Sequence, residues 1–326
     1  MTGTPGRLPR AARAAAPTIG APVALYDRAI VRLLPAVPRP VVRRLSERYI
    51  AGPALPDAVR AVRELNAAGK TATIDVLGEE ITSVEEARAI TDAYEDVFAE
   101  IERSELDSTV SVKLTGLGLK LGYDVCRAHL EEVVRDAAER GNFVTIDMED
   151  SSTTDETLRL YRELREQGLE NVGIVLQASL RRTVADIDAL ADLRPNTRLC
   201  KGIYVEPEEL QFRDPEAVRL NFVRALEALL DAGCYVGVAT HDDWLLGEAR
   251  RAVAERGLGG AAYEFQMLLG VRPELGDALV RDGHRLRIYV PFGEHWYEYS
   301  LRRLQENPAI AGYVASDTVT RLLGRR

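Results

Sequence analysis

The 326-residue chain is 46% hydrophobic and carries 42 Lys and Arg against 51 Asp and Glu, a formal net charge of −9. That much apolar sequence suffices for one large core or two small ones, which excludes disorder and small disulfide-stapled folds, and the acidic balance argues against a general nucleic-acid-binding role. No stretch reaches the roughly eighteen uninterrupted apolar residues of a transmembrane helix, and Cys126, Cys200 and Cys234 form no CxxC pair, so a reducing cytoplasm is the expected location.

Residues 1–50 form a basic arm: nine Arg against Asp27 and Glu47 give +7 and leave −16 for residues 51–326. Its Pro- and Ala-rich opening (Pro5, Pro9, Pro17, Pro22) is expected to be mobile. Leu25-Tyr26 and the run from Ile30-Val31 to Leu34 suit a short amphipathic helix, and the lack of an apolar h-region argues against a signal peptide.

From Thr71 onward, short β-branched or apolar runs alternate with longer helical patterns. Eight strands are predicted, at 71–76, 109–114, 143–148, 172–177, 197–201, 234–239, 261–266 and 286–290. Helical periodicity occupies 83–104, 124–140, 155–168, 183–192, 215–232 and 243–256. Eight βα units over one domain, residues 51–326, predict a (β/α)8 barrel, with a doubly wound open sheet as the structural alternative.

Strands packed inside and covered outside hold charge only for a reason. Here polar residues gather at predicted strand C-terminal ends, the active-site rim of such a barrel: Lys113, Asp147, Glu149, Gln177, Lys201, Thr240-His241-Asp242, Glu264, Gln266 and Tyr289. Lys occurs only at 70, 113, 120 and 201 in a chain that otherwise uses Arg, so two of four lysines fall on this rim. Lysine forms a Schiff base where Arg cannot, which opens class I aldolase chemistry on Lys113 or Lys201 as one reading. A metal site from Asp147, Glu149, His241 and Glu264 is disfavoured, because no close helical His pair accompanies them. The GLGLKLG run (Gly116, Gly118, Gly122) is one residue too long for a dinucleotide fingerprint and reads as a flexible βα loop. Neither GxxxxGK[ST] nor GxSxG occurs, which removes P-loop and nucleophile-elbow readings.

Near the C-terminus, Gly293 and Glu294 suit a helix start and Pro308 its stop, predicting a helix over 295–306. Tyr299, Arg302, Arg303 and Glu306 then share one face. Paired guanidinium forks beside an aromatic ring suit a small carboxylate with apolar carbons.

These segments resemble a known family. TIDVLGE, SVKLTGLG, TIDMEDS, VLQASLRRT, RLCKGIYVEP, VATHD, YEFQMLLGV, YVPFGEHW and Y..RRLQENP occur in the order found in the catalytic domain of proline dehydrogenase, spanning Thr71 to Pro308. The resemblance implies a distorted (β/α)8 barrel with FAD across the strand ends and a last helix bearing substrate-binding arginines. It also implies oxidation of L-proline to Δ1-pyrroline-5-carboxylate, with electrons passed to a membrane quinone. Lys113, Arg302 and Arg303 match residues that bind the substrate carboxylate, and Tyr289 and Tyr299 match aromatics lining the proline ring. Asp147 and Arg198 match active-site polar groups. Met148, Gln177, Arg198, Lys201, Gly202, Ile203, Thr240 and His241 match the flavin site. Two departures stand out: Ser179 where many members have Tyr, and Ile203 where Ala is common.

The residues suit that chemistry. Hydride removal beside a ring nitrogen needs an ordered cofactor and a substrate with little freedom, which a carboxylate clamp supplies. Arg198 and Lys201 suit a pyrophosphate and a reduced flavin that carries negative charge. Delivery to a membrane quinone conflicts with a barrel of charge −16, and the +7 arm offers peripheral contact with an anionic leaflet.

Overall fold

The computed structural model describes residues 48–79, 81–297 and 299–300. Within them, helices and strands alternate: α1 (Leu55–Ala67), β1 (Thr71–Val76), α2 (Val84–Arg103), β2 (Ser108–Val112), α3 (Tyr123–Glu139), β3 (Val144–Ile146), α4 (Thr154–Glu166) and β4 (Val172–Gln177) make the first half. The second half is α5 (Thr183–Leu190), β5 (Thr197–Cys200), α6 (Pro215–Asp231), β6 (Val236–Ala239), α7 (Asp243–Glu255), β7 (Tyr263–Leu268), α8 (Pro273–Arg281) and β8 (Leu286–Phe292). Every strand pairs in parallel with its sequence neighbour, and β8 pairs back onto β1, with Thr73 opposite Tyr289. The chain is a (β/α)8 barrel, and closure removes the open-sheet alternative.

Period two sorts the strand residues. Ala72, Ile74, Val110, Val112, Ile146, Leu199, Phe265, Met267, Ile288 and Val290 are buried in the continuous hydrophobic core, the positions covered by helices in a barrel. The alternate positions face inward, and contacts across the barrel prove it: Arg198 of β5 reaches Ser111 of β2, and Arg287 of β8 reaches Thr109 of β2. Branched apolar residues usually fill such an interior. Here much of it is polar.

Local chemistry places the helices. Ser83 accepts a hydrogen bond from the Glu86 amide while the Glu86 carboxylate receives the Ser83 amide, a reciprocal cap that starts α2. Asp242 caps α7 by accepting from the Trp244 amide at 3.1 Å. Helix α1, with Pro56 in its first turn, buries Ala58, Val59 and Val62 on one face and packs on β1 and β8. Neither α1 nor α8 follows from the periodicity noted above.

Several boundaries differ from expectation. β2 ends at Val112, leaving Lys113 just beyond it, and β3 is only three residues long. β7 begins at Tyr263, which moves Glu264 from the expected rim to the second strand position, inside the barrel. The GLGLKLG segment is not a loose loop: Leu117 and Leu119 are buried, and successive turn hydrogen bonds run from the Leu117 amide to the Gly122 amide.

Candidate active site

Four side chains predicted from sequence meet at the C-terminal mouth of the barrel. The Lys113 ammonium donates to the Tyr289 hydroxyl at 3.2 Å and lies 3.5 Å from Asp147 Oδ2. The Tyr289 hydroxyl donates to the same Oδ2 at 2.7 Å. Arg198 Nη1 donates to Asp147 Oδ1 at 2.6 Å and to Ser111 Oγ at 3.0 Å, and its guanidinium sits 5.1 Å from the centre of the Tyr289 ring. Lys113 and Asp147 follow directly on β2 and β3, and Arg198 and Tyr289 lie in β5 and β8, so closure of the barrel assembles the group.

Sequence reasoning missed a fifth member. Asp75, fully buried in β1, receives the Lys113 ammonium at 2.8 Å on each carboxylate oxygen. The mouth therefore holds two carboxylates against two cations, compensated within one cluster. The signal in sequence is the one charged residue of this strand, an acid at its fifth position, on the same face as Thr71 and Thr73.

Electrostatics sets the protonation states. Burial alone would lower the Lys113 ammonium, but the carboxylates of Asp75 and Asp147, with the Tyr289 oxygen beside it, overcome this and hold Lys113 protonated well above its ordinary range. Asp147 is also pushed up by burial, yet Arg198 and Lys113, with hydrogen bonds from Tyr289 and Ser111, bring it below the usual carboxylate range. Burial raises Asp75, with Lys113 opposing, and burial carries the Tyr289 phenol far above its ordinary value. A protonated lysine gripped by carboxylates is a poor Schiff-base nucleophile, which removes the physical ground for an aldolase built on Lys113.

A second group lines the rim from β3 to β6. The Gln177 amide donates to the Met148 and Glu149 carbonyls at 2.9 and 3.2 Å. After β5 the chain turns at Gly202, whose φ is +96° and where a Cβ would lie 2.4 Å from Ser179 Oγ. Lys201 donates to Asp242 Oδ2 at 2.5 Å, and Arg219 donates to the same oxygen at 2.8 Å. Burial would raise Asp242, but these two cations bring its carboxyl down to about 2. Thr240 Oγ1 accepts from the Asp242 amide, and His241 Nε2 accepts from the Leu268 amide.

Tyr299 is buried against Ile50 and Leu77, beside the end of β1. Arg302, Arg303 and Glu306 lie outside the described residues, as does the basic arm apart from residues 48–50. Of the four groups first weighed for metal binding, Glu149 accepts from the Thr115 amide and hydroxyl and Glu264 binds Arg287, so they belong to separate networks.

The donor set fits a flavin. The Lys201 side chain is 40% exposed while its ammonium pairs with Asp242, which places a cation at the rim beside Ile203 and Val205, whose apolar surface is exposed two residues apart just beyond it. Gly202 keeps the intervening backbone tight against β4.

Comparison with known proteins bears on the same segments. A family model described as proline dehydrogenase matches residues 58–316. Proline dehydrogenase 1 of Bacillus subtilis subsp. natto is 39% identical over 269 residues, 82% of this chain and 89% of that protein. Proline dehydrogenase of Deinococcus radiodurans is 36% identical over 302 residues, covering 89% of this chain and 96% of that protein. Among solved structures, proline utilization A from Bdellovibrio bacteriovorus, inactivated by N-propargylglycine, has a TM-score of 0.76 at 23% identity, covering 88% of this chain and 35% of that one. The chain thus spans about a third of that longer protein, and this likeness speaks for the fold alone.

Proposed function

Because the chain belongs to the proline dehydrogenase family, we propose that it oxidises L-proline to Δ1-pyrroline-5-carboxylate with FAD and passes the electrons to a membrane quinone. The observation that carries this reading is the cluster of Lys113, Asp147, Arg198 and Tyr289 at the barrel mouth. The flavin, when bound, accepts the hydride from the ring carbon next to nitrogen.

The protein's own groups bind and orient. Lys113, held protonated, offers a fixed positive charge to the substrate carboxylate. Arg302 and Arg303, assigned by resemblance, complete the clamp. Tyr289, locked between Lys113 and Asp147, presents a rigid ring to the proline carbons. Asp147, held below the usual carboxylate range, is a weak base. Its role is to fix Tyr289 and Arg198, and the substrate amine sheds its proton to water. Met148, Gln177, Arg198, Lys201, Gly202, Ile203, Thr240 and His241 are the residues proposed to hold the cofactor. Among the described residues no helix is long and apolar enough to cross a membrane. Contact with a lipid-soluble quinone is assigned to the basic arm on its charge of +7.

Anaerobic addition of proline to the purified protein tests the reading. A yellow protein whose flavin absorbance bleaches with proline supports it. A protein that binds no added FAD, or a bound flavin whose absorbance proline leaves unchanged, overturns it, and borohydride inactivation that depends on a carbonyl substrate would favour a Schiff base instead.

A further inference from the structure

Arg198 is held at both ends of its guanidinium edge. Nη1 binds Asp147 and Ser111 at the mouth, while Nε donates to Gln266 Oε1 at 2.6 Å. Gln266 is itself oriented from below, because its amide nitrogen donates to Glu264 Oε1 at 2.7 Å and an ionised carboxylate can only accept. Its oxygen must then face Arg198. Glu264 Oε1 also accepts from Arg287 Nε at 2.6 Å, and Arg287 Nη1 is tied to the Ala72 carbonyl at 2.7 Å and to Thr109 Oγ1 at 3.2 Å.

A continuous polar strut thus runs from Asp147 at the mouth to the backbone of β1, alternating in charge through Arg198, Glu264 and Arg287. Strand register builds it. Gly237 pairs with both Arg198 and Glu264, and a Cβ there would lie 2.3 Å from the Gln266 amide nitrogen, so only glycine leaves room for that side chain. Glu264 is 2% exposed, and among the described residues its Oε2 meets no hydrogen-bond partner within standard geometry.

Stability does not explain such an arrangement. Apolar residues of similar volume often replace a buried ion pair at no cost or with a gain, and an unpartnered buried carboxylate oxygen is itself unfavourable. Orientation does explain it. With Nε and Nη1 engaged, Nη2 is the one Arg198 nitrogen without a hydrogen bond among the described residues, and the strut fixes where that nitrogen lies.

We infer that Gln266, Glu264 and Arg287 are positioning residues for Arg198, acting from inside the barrel to fix the guanidinium that meets substrate or cofactor. The inference rests on the role proposed above for Arg198, and its test has one arm independent of activity. In protein labelled with ¹⁵N-arginine, the Arg198 Nε proton, identified by its loss in Arg198→Lys, exchanges slowly with solvent. Gln266→Met should accelerate that exchange about tenfold or more. In turnover, Gln266→Met should lower kcat roughly 10- to 100-fold while KM for proline stays within about twofold, the pattern of misplacement rather than lost binding. It should add nothing to the loss already present in Arg198→Lys, because the two act through one group.

Arg287→Lys, at the far end of the strut and without contact to Arg198, is the second variant and should shift exchange and kcat in the same directions by smaller factors. Unchanged Arg198 Nε exchange in both variants, or losses that multiply in the Arg198→Lys background, would overturn the inference. A native protein inert toward proline would fell the proposed function, and the exchange arm would still decide the strut.

Discussion

Lys113 grips both oxygens of Asp75 at 2.8 Å while the nearer oxygen of Asp147 stays 3.5 Å from its ammonium. The unequal grip divides the labour of the two acids: Asp75 anchors the lysine, and Asp147 is left for Arg198 and Tyr289.

Removing one partner of a buried pair strands the other. Lys113→Met leaves the fully buried Asp75 without its cation, so it should cost about 3–5 kcal/mol, read as a lower urea midpoint with an unchanged slope. Adding Asp75→Asn removes the stranded charge and should restore most of the loss. If the double variant is no more stable than Lys113→Met, the pair does not act as a unit.

The state of Asp147 gives a pH prediction. Its carboxyl lies below the usual range, so its contribution to stability and binding is complete above the ordinary carboxylate value and is lost only as pH falls through the lowered one. Tyr289→Phe deletes a donor to that carboxylate and raises it. The acid limb of kcat/KM should then move to higher pH, and Arg198→Gln should move it further, because Arg198 is the largest of the lowering influences. An acid limb that stays put in both variants would show that Asp147 does not govern it.

How far the site is legible in sequence follows from the strand period. Lys113, Asp147 and Tyr289 stand out because a charge or phenol closing an apolar run marks the rim. Asp75, Ser111 and Arg287 do not, because a polar residue at every second position looks like the wet face of a half-buried strand until closure turns that face inward. Glu264 shows how a small boundary error changes chemistry: a two-residue shift of β7 moves it from the rim to the interior. Helix α1 escapes because it precedes the first strand, where the βα repeat gives no guide.

Gly202 ties the proposed cofactor site to backbone geometry. Its φ of +96° disfavours any side chain, and a Cβ would meet Ser179 Oγ at 2.4 Å. Gly202→Ala should therefore destabilise the protein by about 1–3 kcal/mol and reduce bound flavin per chain. Ser179→Gly added to it relieves the collision but not the dihedral strain, so flavin content should recover only in part. Full flavin occupancy and an unchanged Tm in Gly202→Ala would remove this turn from the cofactor site.

The clamp assigned by resemblance has its own readout. Arg302→Ala or Arg303→Ala should raise KM for proline while flavin content stays near native, since losing a buried Arg–carboxylate contact costs about 2–5 kcal/mol, or roughly 30- to several thousand-fold in affinity. An unchanged KM in both variants would place the carboxylate elsewhere.

Electron delivery to a quinone needs a surface that meets lipid, and the charge distribution sets two parts of the chain in opposition. Residues 51–326 carry −16 and are repelled by an anionic leaflet, whereas the first fifty residues carry +7. Each basic residue near such a surface contributes about 1 kcal/mol, an attraction that salt screens. Leu25, Ile30, Val31, Leu33 and Leu34 can enter the interface if the segment folds there as a helix. Sedimentation with anionic vesicles should carry down the full chain at low salt and release it at high salt. A chain starting at Ala51 should stay in the supernatant under both conditions while still bleaching its flavin with proline. Equal, salt-insensitive sedimentation of the two chains would take membrane contact away from the arm and leave the proline chemistry standing.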